Sequence, residues 1–137
     1  MSVCRIYIDP LRDYSGNNSG ASYFGVREQD INFLVAERIA SNLASYVFKN
    51  SKKYSYFEPH MSRETKETTK SEDLQESLRI RLKESEILFN DDGNQVPYFI
   101  YLGIGSEPSG KNETTTESGI SCHYENRNAK GIDNETW

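Results

Sequence analysis

Apolar residues fall in blocks, at 4–8, 31–48, 54–57, 74–89 and 96–104, with 106–118 and 125–136 almost bare of them. Cys4-Arg5-Ile6-Tyr7-Ile8 alternates and is mostly β-branched or aromatic, which predicts a strand that Asp9-Pro10 ends. Residues 11–25 carry Gly16, Gly20 and Gly25 with Asn17 and Asn18, a loop. Ile31, Val35, Ile39, Leu43 and Val47 then recur every fourth residue, with Leu34, Ala36, Ala40 and Ala44 beside them and Glu37, Arg38, Ser41 and Asn42 opposite. That pattern predicts an amphipathic helix over about 28–48.

Tyr54 to Phe57 predicts a second strand, ended before Pro59. Leu74, Leu78, Leu82 and Ser85 predict the core-facing stripe of a second helix, with Ser71 as its N-cap. Asn90 to Asn94 is a turn. The apolar run Val96 to Ile104 suits a strand covered on both faces, and 98–104 is expected at the centre of the sheet. Gly119 to Tyr124 is a further strand candidate near a sheet edge. The order β-α-β-α-β-β predicts a three-layer α/β domain over 1–124, with a mixed, mostly parallel sheet and helices on both faces. Residues 125–137 form a polar tail.

Charge narrows the function classes. The 137-residue chain carries a net charge of -5 with interleaved signs, so there is no basic stripe to attract nucleic acid. No stretch approaches the roughly 18 apolar residues of a membrane span, and no apolar signal segment follows Met1, so synthesis in the cytoplasm is expected. Cys4 and Cys122 suggest buried free thiols rather than a disulfide framework. The mixed-sign run Arg63 to Asp73, including Glu64, is expected to be a solvated loop and helix start. His60 and His123 are expected to be exposed or locally bonded, as neither belongs to a cluster at ligand spacing.

Several segments, in order, resemble one family. Ile6-Tyr7-Ile8-Asp9-Pro10, the Gly-rich loop ending Ser19-Gly20-Ala21, and Glu28-Gln29-Asp30-Ile31-Asn32 resemble the opening of the zinc-dependent N-acetylmuramoyl-L-alanine amidases of the amidase-3 type. Ser62-Arg63-Glu64-Thr65 is similar to that family's Thr-Arg-Glu-Thr, the Leu74 to Ser85 segment with Arg79 falls at its next helix, and Phe99 to Gly105 falls at its Ser-Ile-His-Ala-Asn strand. Gly119 to Tyr124 falls at its Gly-Val-Glu-Thr-Tyr-Tyr.

The resemblance implies a zinc held by two histidines and a glutamate, with a late glutamate as general base. Here the first histidine position falls on Arg12, or on Leu11 or Asp13 if the loop is slid, none of them histidine; the glutamate falls on Glu28, the second histidine on Gly103, and the late glutamate has no counterpart. Three protein ligands are needed to hold zinc and lower the pKa of its water. The expectation is therefore a catalytically inactive, amidase-like protein with no metal and no other cofactor, in which an Arg12–Glu28 ion pair replaces the zinc. It would serve as a structural or binding component of a phage-, spore- or envelope-associated assembly. A second protein chain or a self-copy would cover the sheet edge, with Trp137 as anchor. The alternatives are a peptidoglycan-binding module, or a divergent zinc amidase that still cleaves the muramoyl–L-alanine bond with ligands from another chain.

Overall fold

The computed structural model describes residues 3–11, 22–46, 56–91, 94–95 and 98–105, and every structural statement below concerns these. Strand β1 (Val3–Pro10) leads to a hairpin of two-residue strands, β2 (Ser22–Tyr23) and β3 (Val26–Arg27), and then to helix α1 (Glu28–Ala44). Strand β4 (Tyr56–Met61) precedes helix α2 (Leu74–Phe89), the two-residue ladder β5 (Asn90–Asp91) and β6 (Asn94–Gln95), and strand β7 (Tyr98–Ile104).

The main sheet has the order β4-β1-β7 and both its pairings are parallel; antiparallel pairing is confined to the two short ladders. Successive residues of a strand face opposite sides, so β1 separates two kinds of chemistry. Cys4, Ile6 and Ile8 pack with Ala36 of α1 in the apolar core. The register sets Phe57 and Tyr98 beside Cys4, and Met61 and Leu102 beside Ile8, which extends that apolar face across all three strands. Arg5, Tyr7 and Asp9 face the other way and bond to α2 at Leu88, Glu84 and Arg81. Helices thus cover both faces, and the three-layer α/β architecture predicted from the pattern is present.

Several element-level expectations need correction. Among the described residues β1 is the central strand and β7 (98–104) lies at an edge. Helix α1 packs mainly over β4 and β1, which leaves Ile100 of β7 exposed on that face, while Tyr101 lies on the α2 face beside Tyr7. Strand β4 runs through Pro59 instead of ending before it; an edge strand tolerates the missing N–H. The N-cap of α2 is Asp73, whose carboxylate accepts from the N–H groups of Gln75 and Glu76 at 2.8 and 3.1 Å, while Ser71 Oγ accepts from the Asp73 N–H. Helix α1 ends at Ala44, short of 48.

The largest correction concerns helix phase. In α2 the buried positions are Ser77, Arg81 and Ser85, and Leu74, Leu78 and Leu82 are about half exposed. In α1 Ile39 and Leu43 pack on the core, but Ile31, Leu34 and Val35 are exposed. A four-residue spacing advances 400° in a helix of 3.6 residues per turn, so such a stripe drifts about 40° per step. The α1 stripe therefore starts outside and ends inside. No helix of the described residues is long and apolar enough to cross a membrane.

Candidate functional site

Strand β1 continues through α1 to β4 on one side of it, and β4 continues through α2 to β7 on the other side. Ligand sites of open α/β sheets form at such a reversal, outside the carboxyl ends of the strands. Here Asp9 lies opposite Gly103 and Pro10 opposite Ile104. The Leu11 N–H donates to the Ile104 carbonyl at 2.8 Å, and the Asn32 amide donates to the Leu11 carbonyl, which ties α1 to the same end.

Asp9 is the hub of this end of the sheet. Its Oδ1 accepts from Ser62 Oγ at 2.8 Å, and its Oδ2 accepts from an Arg81 guanidinium nitrogen at 2.8 Å and from the Tyr101 hydroxyl. The Arg81 and Asp9 side chains are only 4% and 2% exposed, so this is a buried ion pair. A buried carboxylate needs its charge neutralised and its lone pairs occupied. One guanidinium and two hydroxyls, drawn from α2, β7 and the loop after β4, meet that need. The backbone reinforces the junction, since the Ser62 N–H donates to the Ile8 carbonyl at 2.9 Å.

A second polar contact flanks the first. The Tyr7 hydroxyl donates to Glu84 at 2.9 Å, Lys70 pairs with the other Glu84 oxygen at 2.8 Å, and the Tyr7 and Tyr101 rings lie 5.2 Å apart. Burial pushes the Tyr7 hydroxyl well above its ordinary value of 10.0, and the hydrogen bond to Glu84 pushes it further. Burial, then the hydrogen bond to Asp9, does the same at Tyr101. Both tyrosines are therefore hydrogen-bond donors at neutral pH and not phenolate bases. The buried, free Cys4 thiol is pushed up by desolvation, which makes it a weak nucleophile.

The charge run 63–73 is not uniformly solvated. Glu64 is exposed, but Arg63 is wholly buried, donating to the carbonyls of Gln29 at 2.7 Å and Lys66 at 3.1 Å, with its guanidinium 5.2 Å from the Phe33 ring centre. It anchors the first turn of α1, and so the backbone beside Glu28, to the loop after β4.

The residues singled out by sequence fare differently. Glu28 is the first residue of α1 and is half-buried. Gly103 is exposed on β7, and a Cβ built there would meet nothing within 4 Å, so packing does not dictate the glycine. Arg12, Cys122, His123, Trp137 and the 119–124 segment lie outside the described residues, as does any Arg12–Glu28 contact. His60 is half-buried on β4, its Nε2 3.6 Å from Glu58 Oε2, beyond hydrogen-bond reach. Arg79 pairs with Glu76 on the exposed face of α2; the buried arginine of that helix is Arg81.

The described residues do not fit a zinc ion. No three His, Cys, Asp or Glu side chains gather among them, and of the three ligand positions Glu28 and Gly103 supply a single donor group. Sequence reasoning did not foresee the Asp9–Arg81–Ser62–Tyr101 cluster. Its signal was present in β1, where Arg5, Tyr7 and Asp9 make every second position polar, and in the four-residue spacing of Ser77, Arg81 and Ser85. Comparison with protein-family models, with curated proteins and with solved structures finds no match to the chain.

Proposed function

We propose that this chain is a non-hydrolytic, amidase-like α/β module that acts as a structural or binding component of a larger assembly. The observation that carries this reading is the state of Asp9. A carboxylate at the carboxyl end of a central parallel strand is well placed to bind a metal or move a proton. In this chain its oxygens are occupied by Ser62, Arg81 and Tyr101, and the group is sealed from water. Opposite it, Gly103 brings no side chain although there is room for one. The arrangement holds β1, β7, α2 and the loop after β4 together, and it takes the Asp9 carboxylate out of use as a base or metal ligand. The strand–helix order and the Asp9, Glu28 and Ser62-Arg63 matches support the amidase-like part of the reading.

Metal analysis tests it. Purified chain should carry well under one zinc per molecule, and added zinc should leave its melting temperature unchanged, because a ligand bound only by the native state would raise it. One tightly held zinc per chain would contradict the proposal.

A further inference from the structure

We draw no further inference here: the strongest candidate, the exposed apolar face of α1 formed by Ile31, Leu34 and Val35 and continued by Val26 on the hairpin, is an unpartnered surface, and nothing in the structure shows what covers it, since both Asp30 oxygens at its rim are already taken by Arg27.

Discussion

Asp9 has no aqueous partner to fall back on, and this sets how its neighbours respond to substitution. Removing one member of a buried ion pair leaves the other charge uncompensated, at a cost of about 3–5 kcal/mol. Arg81→Ala should therefore lower the unfolding free energy in urea by about that amount, and Ser62→Ala by about 1–3 kcal/mol through the lost donor. The paired change Asp9→Leu with Arg81→Met should be milder than either single change, because no buried charge remains. An Arg81→Ala cost below about 1 kcal/mol would mean that the pair is solvated and not structural. Residue-level roles were only half legible in the sequence. Asp9, Ser62 and Arg63 stood in segments already marked by resemblance, but Asp9 read as a strand terminator and Arg63 as part of a solvated run. Arg81 was not singled out at all, and the arginine noted in that helix was Arg79. A buried charge shows itself only through its tertiary partner, here 72 residues away in the chain.

Helices α1 and α2 were legible as helices and mis-set in rotation. Periodicity fixes that a segment is helical, but not which of two adjacent stripes meets the sheet. In α2 the sheet face it meets is lined by Arg5, Tyr7 and Asp9 of β1, so the stripe that complements it is Ser77, Arg81 and Ser85, and the leucines turn outward. This phase predicts an inverted response to substitution. Ser77 is fully buried, and Ser77→Leu should overpack the interface and cost about 1–3 kcal/mol. Leu82, about half exposed, should tolerate Leu82→Ser with a loss under about 1 kcal/mol. Thermal melts of the two variants decide the point. Leu82→Ser as the more damaging change would place the leucine stripe in the core. Strand boundaries erred for a different reason. Pro59 reads locally as a breaker, and its tolerance depends on β4 lying at an edge, a fact of sheet order.

The whole molecule was the most legible in its architecture and the least in its chemistry. Alternating strands and helices, with crossovers long enough for parallel pairing, predicted a three-layer α/β domain, and the sheet β4-β1-β7 has both of its crossovers made by helices. Which strand is central was not legible, because the apolar run at 96–104 suits an edge strand with one face on the core as well as a fully covered one. At this scale the central claim is that closing Asp9 within the fold, beside an empty-handed Gly103, leaves a framework without hydrolytic chemistry. The direct test is to incubate the purified full chain, with and without added zinc, with a soluble muropeptide that carries the muramoyl–L-alanine amide, and to follow release of the free alanine amine. The account predicts release at the rate of the protein-free control in both conditions. Release above that rate that a chelator abolishes would contradict it.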